Sequence, residues 1–390
     1  MLHTKKPREQ NGRDSFSRYR AQVRSAAIAS LAILESHNVD RIYCDLHDDF
    51  VVRRKDNAGF NYIFYQVKTK GKQNHNWSIN EIFGINTKLK SHDKQSPENI
   101  KNSFAGKLLL HTIVFNDYCD SVVFQTNIHN SDEVDEFIKE AQSSDSSNKF
   151  IDIIISTFNK CYEKELDHDL TEHEIKKNLK KLKFETDVQH LKEKNNNFRP
   201  IVGEKIYEYS EVELDRTELD EIILKLLDLI ENKSCSIIKD ISLESIETHA
   251  GVSIDDLLSV LSISKEAYYH LLESGDNKAI KSASIIQRTL SKSGAGDEEI
   301  EYCSRCKTNF DLWFRDTRHS ILEFELMAIT NKIKKMFLEI TSHNRNIEIA
   351  SLKKPIELTK KELEEQGLLY NLDHNLLLGA FFSELVRGKS

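Results

Sequence analysis

The chain has 390 residues, 39% of them hydrophobic and 30% charged, with only four prolines and thirteen glycines. That excludes a disordered polymer and a collagen-like or low-complexity architecture, and at about 150 residues per domain it predicts two or three units. The net charge of −8 hides an asymmetry: residues 1–110 hold 19 Lys and Arg against 11 Asp and Glu, a surplus of eight, which leaves −16 for the remainder. A polyanion would be drawn to the first part and repelled by the rest.

Residues 14–37 read as an amphipathic helix capped by Asp14 or Ser15, because Phe16, Tyr19, Val23, Ala27, Leu31 and Leu34 recur at three- and four-residue steps. Three strands follow, Arg41–Leu46, Asp49–Arg54 and Asn61–Lys68, with a DNAG turn between the last two. Helices are predicted over Ile79–Lys90 and Ile100–Phe115, then a buried strand over Ser121–Asn127. Helix, three strands, helix and strand in this order predict a compact α/β unit.

Chemistry concentrates on two of these strands. In NYIFYQVKTK the alternation puts Tyr62, Phe64, Gln66 and Lys68 on one face and Ile63, Tyr65 and Val67 on the other. An amide and an ammonium two residues apart in a half-buried strand each need a partner. A hairpin around DNAG brings Asp49 to the Gln66–Lys68 end. Carboxylate, amide oxygen and lysine together suit a hard, oxygen-liganded cation and phosphodiester hydrolysis, with the lysine stabilising charge on phosphate. The alternative is structural, with Gln66 and Lys68 on a solvated sheet face and Asp49 as a strand-start residue.

An Asp at the start of the second strand and Gln-x-Lys on the third, within this element order, resemble the PD-(D/E)xK nuclease superfamily, whose Mrr-like branch often carries Gln for Glu. More narrowly, GRDSFSRYRAQVRSAA, IYCDLHDDFVV, YQVKTKGKQ followed by WSINEIF, and VVFQTN resemble the dsDNA endonuclease domain of bacterial anti-phage effectors. That domain occurs in CBASS effectors fused to a nucleotide-sensing SAVED domain, and in Lamassu effector subunits. The resemblance covers roughly residues 10–160. It implies a restriction-endonuclease-like core with Asp49, Gln66 and Lys68 as catalytic positions, Asp48 ranked after Asp49, and Asp45 also available. Asp49 and Gln66 would hold Mg²⁺ or Mn²⁺, weakly, since Gln removes one charge from the usual site. Gln22 on the first helix either reaches this site, as such residues do in the superfamily, or is an ordinary exposed helix residue. Lys70 and Lys72, after the strand, are expected to contact double-stranded DNA through its phosphates. His75 and Trp77 either touch DNA or serve as turn and packing residues.

Beyond residue 140, QSSDSSNK reads as a loop, and HDLTEHEIKKNLKKLKFETDVQHLKEKNNNFRP as a charged helical stretch with Lys176, Lys177, Lys180, Lys181 and Lys183 on a solvated face. From about 217, TELDEIILKLLDLIEN, SIDDLLSVLSISKEAYYHLLES, DLWFRDTRHSILEFELMAITNKIKKMFLEI and NLDHNLLLGAFFSELV carry helical spacing. A faint helix–turn–helix cadence surrounds Ala250–Gly251. Cys303 and Cys306 form a single CxxC with His319 downstream, half of a zinc site, and read better as small buried residues. Phosphate-loop, dinucleotide and HExxH motifs are absent. No run reaches the roughly 18 apolar residues that cross a bilayer, the start carries no apolar leader core, and six scattered cysteines make no disulfide framework. A soluble, cytosolic protein without membrane contact is expected.

The expected organisation is a nuclease domain over 10–160, a charged helical connector over 161–215, and a mainly α-helical region over 216–390 for partner binding and oligomerisation. Few strand candidates follow residue 215, so the chain is more similar to a Lamassu effector than to a SAVED fusion. That resemblance implies an SMC-like ATPase and a small accessory subunit as partners, inactivity until triggered, and a homo-oligomer when active. The alternatives are a cyclic-nucleotide-activated CBASS-type effector and a non-catalytic DNA-binding scaffold. A stand-alone Mrr-type restriction enzyme would need a modified-base reader, for which no segment is found.

Overall fold

The computed structural model of the chain describes residues 10–35, 38–56, 59–71, 74–89, 94–143, 148–192, 197–209, 214, 216–273, 275–276, 278–317, 320–343 and 346–389. It divides into two compact units. One takes the described residues up to Val202 together with Ile223–Ile254, and the other takes Gly203–Ile222 with the residues from Asp255 onward.

In the first unit, helix α1 (Gln10–Ser30) runs on as a 3₁₀ turn, Leu31–Glu35, and starts ahead of the Asp14 or Ser15 cap expected for it. Strands β1 (Val39–Leu46), β2 (Asp48–Asp56) and β3 (Gly59–Lys68) form an antiparallel meander. Helices α2 (Ile79–Phe83), α3 (Pro97–Lys101) and α4 (Phe104–Val114) then lead to β4 (Cys119–Thr126), which runs parallel to β3 with Gln66 opposite Phe124 and Lys68 opposite Thr126. The helix expected over 79–90 stops at Phe83 because Gly84 takes a left-handed cap, φ 69°, where a Cβ would lie 2.3 Å from the Asn99 carbonyl oxygen. The helix expected over 100–115 breaks at Asn102, and Ser103 caps a new helix with its side chain on the Gly106 amide.

Helices α5 (Asp132–Gln142), α6 (Lys149–Cys161) and α7 (Glu172–Lys180) precede β5 (Leu182–Glu185), parallel to β4. The charged stretch over 161–215, expected to be a helical connector, thus includes a strand. Leu182 and Phe184 pair with Val122 and Phe124, and the apolar side chains extend the sheet. Helix α8 (Phe198–Tyr209), α9 (Arg216–Cys235) and α10 (Leu243–His249) follow, and two residues, β6 (Gly251–Val252), join β1 at the far edge. The helix–turn–helix cadence around Ala250–Gly251 is thus interrupted by a strand. Among the described residues the sheet has the order β5-β4-β3-β2-β1-β6. Arg53, 6% exposed, ties the late segment in, donating to Asp40, to the Tyr43 hydroxyl and to Glu247 Oε1 at 2.8 Å. The Cys44 amide donates to the Ala250 carbonyl at 2.9 Å.

The main core lies between one sheet face (Tyr43, Val51, Phe64, Val122, Phe124) and helices α2 to α7. Alternation along β3 sends Phe64 into that core, and Tyr65, on the opposite face, stacks on Phe50 at 4.5 Å.

The second unit is helical apart from its connections among the described residues. It holds α11 (Ile254–Val260), α12 (Lys265–Glu273), α13 (Ala279–Ser291), α14 (Asp297–Thr317), α15 (Glu323–His343), α16 (Ile349–Glu365) and α17 (His374–Lys389). The run 253–274 divides at Ser262, φ 56°, and the run from Asp311 divides between Thr317 and Glu323. Helices α14 and α17 pack at close range, since a Cβ on Gly379 would stand 2.0 Å from the Cys306 carbonyl oxygen. Cys303 and Cys306 are buried in this core beside Phe310, Phe381 and Phe382. They are free thiols, and burial pushes both upward in pKa. No cluster of three metal-ligating side chains forms among the described residues, and His319 lies outside them.

Candidate active site

The chain reverses between β1 and β2 at His47, with Asp45 at φ 49° and His47 at φ 65°. Left-handed backbone at two non-glycine residues costs on the order of 1–3 kcal/mol each and is held only where the surroundings impose it. Here it delivers Asp48 and Asp49 as the first two residues of β2. Phe50 pairs with Tyr65, so Asp49 falls at the Gln66 end of β3, as the hairpin geometry predicts.

Asp49, with 14% of its side chain exposed, receives three hydrogen bonds from two elements. Gln22 Nε2 of α1 donates to Oδ1 at 2.6 Å, and the Val67 amide and Lys68 Nζ of β3 donate to Oδ2 at 2.6 and 3.1 Å. Of the two readings of Gln22, the one that brings it to the carboxylate is realised. Burial nevertheless lifts the Asp49 carboxyl above the ordinary carboxylate range. Asp48 adds to the rise, while Lys68 and the Val67 amide pull the other way.

Asp48 is 7% exposed and sits behind Asp49. Its Oδ1 accepts from the Asp49 amide at 3.0 Å and from Gln66 Nε2 at 3.5 Å, and its Oδ2 lies 3.1 Å from His111 Nε2. His111 comes from α4, its ring stacked on Phe64 at 4.5 Å. With the Gln66 amide nitrogen turned to Asp48, Gln66 Oε1 remains buried with no hydrogen-bond partner. A buried orphan acceptor costs roughly 1–3 kcal/mol, so it needs a function or a ligand. Asp45 is exposed and outside this network.

Lys70, expected to meet phosphate, is engaged within the protein. Its ammonium pairs with Glu81 Oε1 at 2.5 Å and lies 3.7 Å from the centre of the Trp77 ring. Burial opposes ionisation of Glu81, but hydrogen bonds from Lys70, Ser78 and His75 hold it down at about 2. Trp77 is 4% exposed and donates to Thr126 Oγ1 at 2.8 Å, a packing residue; His75 is 3.3 Å from Glu81. Lys72 lies outside the described residues.

Helix α1 is clamped to the sheet beside this group. Ser25 Oγ donates to Gln125 Oε1 at 2.5 Å and lies 3.1 Å from His190 Nε2, and Gln125 Nε2 donates to Glu185 at 2.6 Å. Burial, then the charge of Arg24, pushes His190 down to about 4, so its ring is neutral at neutral pH. An open cleft of about 470 Å³ runs between α1, residues 69–71 and the 190–191 segment. Sequence reasoning misses two parts of this site: His111, the one imidazole in a mostly apolar helix, and the arginines of α1, whose spacing is visible but whose neighbour is not.

The oxygens of Asp48 and Asp49 and the unpartnered Gln66 Oε1 fit a hard divalent cation, which takes carboxylate and amide oxygens and keeps waters. Two carboxylates against one ammonium, with burial disfavouring the Asp49 charge, also leave room for added positive charge.

Residues 10–234 match the family described as Cap4, dsDNA endonuclease domain. No curated protein matches. Solved structures that match include a Cap4 SAVED/CARF-domain containing receptor from Acinetobacter baumannii, alone and with the cyclic trinucleotides 3'3'3'-cAAA and 2'3'3'-cAAA. Each is 11% identical, with a TM-score of 0.35 and 77% of this chain covered. The chain spans 60%, 61% and 59% of the length of these three.

Proposed function

This chain belongs to the Cap4 dsDNA endonuclease domain family and carries a DNA endonuclease domain; from that premise we propose that the whole protein is a metal-dependent, double-stranded DNA endonuclease effector of bacterial anti-phage defence, built on a restriction-endonuclease-like PD-(D/E)xK core. The observation that carries the catalytic reading is the buried, unpartnered Gln66 Oε1, on a side chain bonded to Asp48 next to the Asp49–Lys68 pair.

Asp49 and Gln66 would hold Mg²⁺ or Mn²⁺, with Asp48 as the adjoining carboxylate. When bound, the ion supplies Lewis-acid polarisation of the scissile phosphate and lowers the pKa of a bound water. Gln22 and the Val67 amide fix the rotation of the Asp49 carboxylate. Asp48, itself engaged by His111, takes the Gln66 amide nitrogen and thereby leaves Oε1 facing away from protein donors. Lys68 places an ammonium next to Asp49 Oδ2, where it can orient the attacking water or neutralise charge growing on the phosphate oxygens.

Two settings suit such an effector. In a Lamassu-type complex it would be held inactive by an SMC-like ATPase and a small accessory subunit, then released to self-assemble. The exposed Leu322, Phe324, Met327 and Leu338 in and beside α15 support a partner surface on the helical unit. In a CBASS-type setting a cyclic nucleotide would switch it on, and the family match favours this second reading. Plasmid cleavage with Mg²⁺ tests both, with the wild type and Lys68→Ala assayed alone, with the partner subunits, and with a cyclic trinucleotide. Cutting that Lys68→Ala abolishes is the expected result, and the condition that starts it selects the setting. Binding without cutting under every condition would leave a DNA-binding scaffold.

A further inference from the structure

The cleft beside the carboxylates has an unusual lining. Arg18, Arg20 and Arg24 of α1 face Lys70 and Gly71, and among the described residues no carboxylate lines it. Two other clefts, both in the helical unit, carry acids: Asp276 and Asp311 in one of about 350 Å³, Glu339 and Glu362 in one of about 490 Å³. Arg18 and Arg20 are exposed and make no ion pair among the described residues, whereas Lys70 spends its charge on Glu81 and Trp77. Arg20 and Arg24 are braced over the rings of Phe16 and Phe198, at 5.0 and 5.3 Å. A guanidinium braced on a ring loses less freedom when it takes a phosphate.

The cleft also has a fixed register to the chemistry. Gln22 is bonded to Asp49, and Arg18 stands four residues, about 6 Å along the axis, before it on the same face. On the opposite wall, Asn127 bonds both the amide and the carbonyl of Lys70 at 3.0 Å, so the 69–71 backbone is held rather than loose.

We propose that this cleft is the phosphate-backbone track of the duplex, with Arg18 and Arg20 of α1, rather than Lys70, as its principal phosphate contacts. The proposal rests on the nuclease reading for its substrate, but its residues and readout are separate. Contacts of this kind position the strand next to the carboxylates and carry no base information.

The test is binding of a fluorescent short duplex to the full chain in EDTA, across a salt series, for the wild type, Arg18→Ala/Arg20→Ala and Arg18→Lys/Arg20→Lys. Each lost phosphate contact flattens the plot of log affinity against log salt by about 0.9, so the alanine pair is expected to flatten it by about 2 and weaken binding roughly tenfold. The lysine pair, which keeps the charges, retains most of the slope. Thermal melting checks that the exposed substitutions leave the fold intact, and Arg18→Gln alone, with a slope change of about 1, replaces the double variant if it does not fold. A wild-type slope retained in the folded alanine variant overturns the proposal. Plasmid cleavage by the wild type separates the two readings. Cutting with an unchanged slope sinks the cleft and keeps the nuclease, whereas a flattened slope without cutting keeps the cleft and sinks the catalysis.

Discussion

Each unit sets a lysine among two aspartates, and the two clusters behave oppositely. In the helical unit, Lys307 is 5% exposed and donates to Asp276 at 2.9 Å and Asp311 at 2.7 Å, while Ser282 closes Asp276 and Ser383 closes Asp311. Burial works against the Asp276 charge, yet Lys307, Ser282 and the Lys278 amide hold its pKa below the ordinary value. In the sheet unit, Lys68 meets Asp49 beside Asp48, burial wins, and the Asp49 pKa rises. Gln66 Oε1 stays unpaired there. The same residue types therefore make a closed structural network in one place and an open, electrostatically unfinished one in the other. Residue identity alone does not mark a site; an unmet hydrogen-bonding demand does.

The comparison can be broken most forcefully at the two lysines. Lys68→Ala is expected to cut plasmid cleavage by about 10²–10³-fold, the size of losing one positioned charge-stabilising group. Its melting temperature should move less than that of Lys307→Ala. That second change strands two partly buried carboxylates and is expected to cost about 3 kcal/mol in denaturant unfolding, with the cleavage rate of the folded fraction unchanged. Equal stability losses for the two, or cleavage lost in both, would erase the distinction.

Acid sharpens the contrast within the sheet unit. His190 is held at about 4 against an ordinary value near 6.5, so between these the unfolded chain binds the extra proton. Stability from this group is complete above pH 6.5, falls as the pH drops, and is gone below pH 4, a loss of about 3 kcal/mol. Melting curves between pH 4 and 7 check this, and His190→Gln should flatten them. The smallest effect is a ligand shift: Mg²⁺ at ten times its dissociation constant stabilises by about 1.4 kcal/mol, a rise of a few degrees. Gln66→Ala should lose that rise, and Asp276→Asn should keep it.

Much of this was legible in the chain because local periodicity and chemistry coincide. NYIFYQVK alternates strictly enough to assign strand, face and the Gln66–Lys68 pair at once, and the turn before it sets where Asp49 must fall. The rest depends on contacts that no local pattern carries. β5 and β6 are four and two residues long and are strands only because β4 and β1 offer them edges. Gly84 and Ser103 end and restart helices whose apolar spacing runs on through them. His111 matters only because Phe64 and Asp48 meet it, and Lys70 looked free only until Trp77 and Glu81 folded back onto it.

The last strand of the sheet has a consequence in time. β4 is complete at Thr126, but β6 begins at Gly251, so the ribosome adds about 125 residues between them, which at 5–20 residues per second takes roughly 6–25 s. Throughout that interval the nascent chain holds its carboxylates, Gln66 and Lys68 without a closed edge on β1, and Arg53 lacks Glu247. Late delivery of the edge strand therefore leaves the sheet unfinished until the chain has grown to Val252, with nearly all of the helical unit still to be added.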